Sequence, residues 1–195
     1  MIKALRFNFH RSSLFGLSLI LACVLVPFAQ APTSAATISG ATAATVVWIN
    51  APGAALPPSE DFQLTNHHRT FIPPYLVITV GSSVRFPNED SYYHSIYSDS
   101  KADPFDIGYY TTGPGKLVAF DKPGVVNVRC HIHTYMHAAI LVVNGPYTIV
   151  TQGRYTLGNV PAGAHSLHTW DLASGERSYP IAVPSQDATL TRDLK

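Results

Sequence analysis

From residue 45 onward the chain repeats one pattern: a short run of β-branched, aliphatic and aromatic residues, then a cluster of Gly, Pro, Asn or Asp. The runs at 45–49, 75–80, 83–86, 117–120, 125–130 and 139–143 predict strands, because such side chains suit a pleated, half-buried surface. The breaks between them carry their own mechanism. Ala51-Pro52-Gly53, Val80-Gly81-Ser82, Asn88-Glu89-Asp90, Gly113-Pro114-Gly115 and Lys122-Pro123-Gly124 supply the fixed or positive φ that turns need. No stretch of comparable length holds a helical period, and the Pro- and Ala-rich segment 50–66 reads as a loop. An all-β sandwich or barrel follows.

Asn144-Gly145-Pro146 marks a boundary, after which the runs come closer together, at 147–150, 154–157, 164–170, 179–183 and 188–194. Gln152-Gly153, Pro161-Ala162-Gly163 and Ala173-Ser174-Gly175 separate them. This second unit is too small to hold a core alone, so Tyr155, Leu157, Leu167 and Trp170 require a partner surface. The strand at 139–143 is expected to complete the edge of the first sandwich.

The N-terminus follows a different pattern. Lys3, Arg6 and Arg11 stand without an acid, residues 12–31 are almost wholly apolar, and small residues follow, which is the order of a secretory signal. Ala29-Gln30-Ala31 fits a cleavage site although Pro32 adjoins it, and a cut near Ala35 or Ala36 fits as well; the segment is assigned to 1–36. An uncleaved anchor is the alternative, but Pro27 interrupts an apolar run already near the lower limit for a span. Ile20-Leu21-Ala22-Cys23 faintly resembles a lipoprotein box; Leu21 is bulky for it and Val26 and Phe28 continue the apolar run, so Cys23 belongs to the signal.

Export changes the meaning of the remaining cysteine. A periplasmic or secreted chain would keep Cys130 alone, where disulfides are usual and a lone thiol is a liability that a metal bond removes. The formal charge of +1 and the lack of a basic cluster give no support to a nucleic-acid partner.

Cys130 opens the stretch Cys130-His131-Ile132-His133-Thr134-Tyr135-Met136. Period-two alternation places Val126, Val128 and Cys130 on one inward face, and a thiolate there is costly unless a cation neutralises it. His133 and Met136, third and sixth after Cys130, can be presented by one tight loop. His94, in Tyr92-Tyr93-His94-Ser95-Ile96, is the natural remaining donor, with Ser95 placed to hydrogen-bond near the thiolate. One thiolate, two imidazoles and a weak thioether form the set that selects copper and poises it for electron transfer. His131 and His137 read as exposed non-ligands, a set using His137 being the alternative. His67, His68, His165 and His168 lack a thiolate or carboxylate at matching positions and read as ordinary surface or strand residues.

These residues resemble the cupredoxins, the plastocyanin-like blue copper proteins. The resemblance rests on His94, on Pro123-Gly124-Val125-Val126-Asn127-Val128-Arg129-Cys130 and on Cys-x-x-His-x-x-Met, whose short loop is closer to amicyanin spacing than to plastocyanin or azurin. It covers about 45–143. Phe71-Ile72-Pro73, Val84-Arg85-Phe86-Pro87-Asn88-Glu89-Asp90 and Phe105-Asp106-Ile107-Gly108 are similar to the subgroup labelled methylamine utilization protein-like. There a small carboxypeptidase regulatory-like β unit follows, which Gly153-Arg154-Tyr155-Thr156-Leu157 and Val160-Pro161-Ala162-Gly163 resemble.

The resemblance implies a cupredoxin-type Greek-key β-sandwich over 37–143 and the regulatory-like β unit over 144–195. It also implies one type 1 copper with His94, Cys130 and His133 as equatorial ligands and Met136 as axial ligand. The chain would then pass single electrons to and from a periplasmic or extracellular redox protein and would not be an enzyme, since the accessory unit it resembles is non-catalytic. Ser95 stands where cupredoxins often carry Asn. A copper-binding or delivery protein without redox turnover is the alternative, but such a site is usually Met- or His-rich, and Met1 and Met136 are the chain's two methionines.

Overall fold

A computed structural model describes residues 35–60, 62–184 and 188–195. The segment assigned to the signal lies outside these residues apart from Ala35 and Ala36. The described chain is all-β, with one short 3₁₀ turn at Pro52–Ala54. Its first strands are β1 (Ala35–Ala41), β2 (Val46–Ile49), β3 (Phe62–Gln63), β4 (Thr65–His67), β5 (Thr70–Ile72) and β6 (Tyr75–Thr79). The middle of the chain forms β7 (Ser82–Arg85), β8 (His94–Ser98), β9 (Phe105–Tyr110), β10 (Leu117–Phe120), β11 (Gly124–Cys130) and β12 (His137–Val143). The last strands are β13 (Tyr147–Ile149), β14 (Arg154–Pro161), β15 (Gly163–Asp171), β16 (Gly175–Val183) and β17 (Thr189–Thr191). Among the described residues no helix is long and apolar enough to cross a membrane, which says nothing about β-barrels.

Four sheets stack around three apolar cores. The sheets run β10-β7-β3, β6-β12-β11-β8-β9, β13-β2-β15-β16 and β14-β1-β17, and β4-β5 forms a two-stranded hairpin whose Phe71 is buried in the first core. Phe86, Phe120, Val84, Ile96, Val126 and Val128 fill the core between the first two sheets. Ile38, Val47, Ile49, Leu157, Val160 and Leu167 fill the core between the last two.

The two sandwiches meet back to back, and strand periodicity explains how. Along β12, Ala138, Ile140 and Val142 enter the first core, while Ala139, Leu141 and Val143 face a middle layer with Trp48 and Trp170. Along β2, Val47 and Ile49 enter the last core while Val46 and Trp48 face the same middle layer. Both strands are apolar on both faces because both faces are covered.

Three expectations require correction. The division at 144 does not separate the sheets: β1 pairs with β14 and β17, and β2 pairs with β13 and β15, so 35–49 belongs with the C-terminal strands rather than with a unit over 37–143. An apolar run such as Val46–Ile49 fits any central strand, and its periodicity does not name its neighbours. Second, β12 lies between β11 and β6 and is not an edge. Third, of the apolar residues said to need a partner, only Trp170 faces the first sandwich, while Tyr155, Leu157 and Leu167 pack within the second.

Candidate metal centre

β11 keeps the alternation expected of it, with Val126, Val128 and Cys130 buried in the first core and Asn127 exposed. Its last residue, Cys130, pairs with Ile96 of β8, and His94 opens β8 opposite Tyr110 of β9. The loop after Cys130 is pinned at its start, where the His131 N–H donates to the Ser95 carbonyl at 2.8 Å, and closed by the Met136 N–H donating to the His133 carbonyl at 2.9 Å.

These constraints bring three donors together. Cys130 Sγ lies 3.8 Å from His94 Nδ1 and 4.0 Å from His133 Nδ1, and the two Nδ1 atoms are 3.3 Å apart. Among the described residues this is the one group of His, Cys, Asp or Glu side chains that could hold a metal ion, all its ligand atoms lying within 4.8 Å of one another. His94 is fully buried, Cys130 nearly so, and His133 half-buried. Met136 is buried in the same core as Cys130.

The far side of the His94 ring carries a group that the sequence reading missed. His94 Nε2 lies 2.9 Å from Asp90 Oδ2, with both side chains almost completely buried. Burial pushes the Asp90 carboxyl up, but the Arg69 N–H, the His94 ring, the His68 N–H and the Tyr92 hydroxyl outweigh it and hold it at about 2, below its usual 3.8. The ionised carboxylate only accepts, so the proton of this contact sits on Nε2. Nδ1 is the ring nitrogen turned toward Cys130 and His133.

His133 is set up differently. Burial, then the neighbouring His94 and Arg69, depress its imidazole below its usual range, so the neutral, ligating form is favoured. Tyr92 borders both rings, 5.5 Å from His94 and 5.6 Å from His133. Tyr110 closes the inner side, where the Asn66 side-chain amide donates to its hydroxyl at 2.6 Å. Burial pushes the Tyr110 phenol well up, the Asn66 contact offsets part of this, and Cys130 adds to it.

Other positions singled out in the sequence lie outside the cluster. The Ser95 hydroxyl is buried with no hydrogen-bond partner, so its side chain does not supply the expected support; its backbone carbonyl holds the loop after Cys130 instead. His131 stacks on Tyr97 with centroids 3.8 Å apart and pairs with Asp106 at 3.1 Å, and His137 is exposed at the start of β12. His165 bonds the Pro161 carbonyl, and His168 stacks on Trp48 and pairs with Glu176. His67 pairs with Glu89 on the surface. His68, by contrast, is more than an ordinary surface residue, since its backbone N–H reaches Asp90.

No family model matches this chain and no curated protein matches it. Solved structures do. A copper-containing nitrite reductase from Thermus scotoductus is 30% identical with a TM-score of 0.41, the match covering 45% of this chain and 23% of the reductase. A purple cupredoxin from Nitrosopumilus maritimus is 26% identical with a TM-score of 0.38, covering 42% of this chain and 99% of that one. Amicyanin from Paracoccus versutus is 15% identical with a TM-score of 0.38, covering 49% of this chain and 96% of that one.

Proposed function

We propose that this protein is an exported mononuclear copper protein of the cupredoxin type that passes single electrons between redox partners. The observation that carries the reading is the buried convergence of one thiol and two imidazole Nδ1 atoms at the end of a rigid β-sandwich. His94, Cys130 and His133 would hold the ion, and Met136, packed in the same core, would offer it a weak thioether donor. The donor set fits: a soft thiolate with two neutral imidazoles favours copper, whereas a thioether is a poor zinc ligand. Bound copper would supply a one-electron couple between its cuprous and cupric states.

What the protein contributes is a fixed geometry. Cys130 is held by strand pairing, His94 by Asp90, and the ligand loop by the Ser95 carbonyl, so the donors change little when charge moves. His133, the half-buried member, is the route by which electrons would enter and leave. The partner is assigned as another exported redox protein, in keeping with the basic, apolar, then small-residue order of the first 36 residues. The reading includes no catalytic step. It is preferred over copper delivery because delivery needs an exchangeable site, and Cys130 and His94 are only 2% and 0% exposed.

The test is an absorption spectrum of the purified protein after addition of Cu(II). An intense visible thiolate-to-copper band is expected, and Cys130→Ser should abolish it. A colourless Cu(II) protein, or an equally coloured Cys130→Ser variant, would end this reading.

A further inference from the structure

The hairpin β4-β5 pairs Thr65 with Ile72 and His67 with Thr70, leaving His68 and Arg69 as a two-residue turn. Both have positive φ, 50° and 55°. This kind of turn requires the left-handed conformation at both central positions and ordinarily uses Asn-Gly, so consecutive His and Arg there are disfavoured. Their backbone N–H groups reach a buried carboxylate. The His68 N–H donates to Asp90 Oδ1 at 2.7 Å and the Arg69 N–H donates to Asp90 Oδ2 at 3.1 Å. The same Oδ2 accepts from His94 Nε2.

Asp90 is itself fixed from its own loop. Its N–H donates to the Asn88 side-chain oxygen at 2.9 Å, and the Asn88 amide donates to the Tyr92 carbonyl at 3.0 Å. The Arg69 guanidinium covers the Tyr92 ring at 4.5 Å. A strained turn, a buried carboxylate and the imidazole of a proposed ligand thus form one connected path.

We propose that the His68–Arg69 turn is a positioning device for the metal centre. Its two N–H groups seat the Asp90 carboxylate, and Asp90 holds His94 as the Nε2–H tautomer with the Nδ1 lone pair turned to Cys130 and His133. The proposal rests on the copper reading for its purpose, but its first step is visible without metal. His68, Arg69 and Asp90 are positioning residues and touch no ion. The contribution of the turn lies in its backbone rather than in its side chains.

The test uses the full-length protein. In the metal-free protein at neutral pH, ¹⁵N NMR of the imidazoles should find His94 as the Nε2–H tautomer, with the His68 and Arg69 amides protected from exchange. Asp90→Asn should shift the tautomer ratio about tenfold or more toward Nδ1–H and weaken Cu(II) binding on the order of 10- to 100-fold, as loss of a ligand's supporting partner does. A His68→Asn, Arg69→Gly double variant keeps both N–H groups in the left-handed turn, so it should retain the tautomer and bind Cu(II) within about twofold of the parent. An Nδ1–H tautomer in the parent overturns the proposal even if Asp90→Asn fails to fold. An unchanged tautomer or unchanged Cu(II) affinity in folded Asp90→Asn overturns it too, as does a double variant that loses either property. Failure of the copper reading has a different signature, a parent protein whose Cu(II) form lacks the thiolate band while His94 still responds to Asp90.

Discussion

The Nδ1 atoms of His94 and His133 face each other across 3.3 Å, and the two imidazoles come from segments joined only through the folded sheet. His94 opens β8, whereas His133 sits in the loop after β11. Because Asp90 retains the proton on His94 Nε2, a proton between the two Nδ1 atoms belongs to His133. Metal binding through Nδ1 would move that proton to His133 Nε2 and displace the Cys130 thiol proton, so loading is expected to release a proton and to weaken as pH falls.

Met136 and His94 are expected to respond differently to truncation. A weak thioether tunes a copper site, while an imidazole in the trigonal set defines its geometry. Met136→Leu should keep the visible band and raise the reduction potential, and His94→Ala should change the spectrum itself. Visible spectra and redox titration of the two variants check this. An unchanged potential in Met136→Leu would leave Met136 as core packing.

Trp170 separates stability from the site. It is buried in the layer between the sandwiches, its ring 5.6 Å from Tyr75, on the opposite face of the large sheet from the core that contains Cys130. Trp170→Ala should cost about 3–5 kcal/mol of unfolding free energy and leave the copper spectrum of the folded protein unchanged. Denaturant melts beside the visible spectrum test both halves. An altered spectrum would show that the middle layer reaches the ligands.

Asp90 gives the metal-free protein an acid-sensitive component. Its carboxyl is lowered from 3.8 to about 2 in the folded chain, so the folded state favours the ionised form more than the unfolded state does. That stabilisation is present above its unfolded value and is lost as pH falls from about 4 toward about 2. Thermal melts across this range should fall less steeply for Asp90→Asn than for the parent, even though the variant is less stable at neutral pH.

Under the proposed export, a signal cut is expected before Ala35. Ala35 and Ala36 pair with Pro161 and Val160, and Ala36 is buried, so a cut after Ala36 would remove paired residues from β1. Of the two cuts the sequence allows, the one after Ala31 leaves the strand whole. Intact mass of the exported protein decides between them, and a product beginning at Thr37 would contradict the expectation.

The sequence by itself determined the all-β class, most of the long strands and the inward direction of Cys130, because period-two alternation and turn residues are local properties written in consecutive positions. The spacing of Cys130, His133 and Met136 was legible for the same reason. Tertiary structure decided which strands pair. Val46–Ile49 is apolar at every position and so carries no mark of its sheet, and β1 began inside a segment that reads as signal. It also decided the support of His94. Nothing in His68-Arg69 announces a tight turn, since the usual Asn-Gly is absent, and nothing local ties that turn to Asp90, 21 and 22 residues away. Periodicity records which face a side chain takes; a hydrogen bond between distant segments exists only once packing has brought them together.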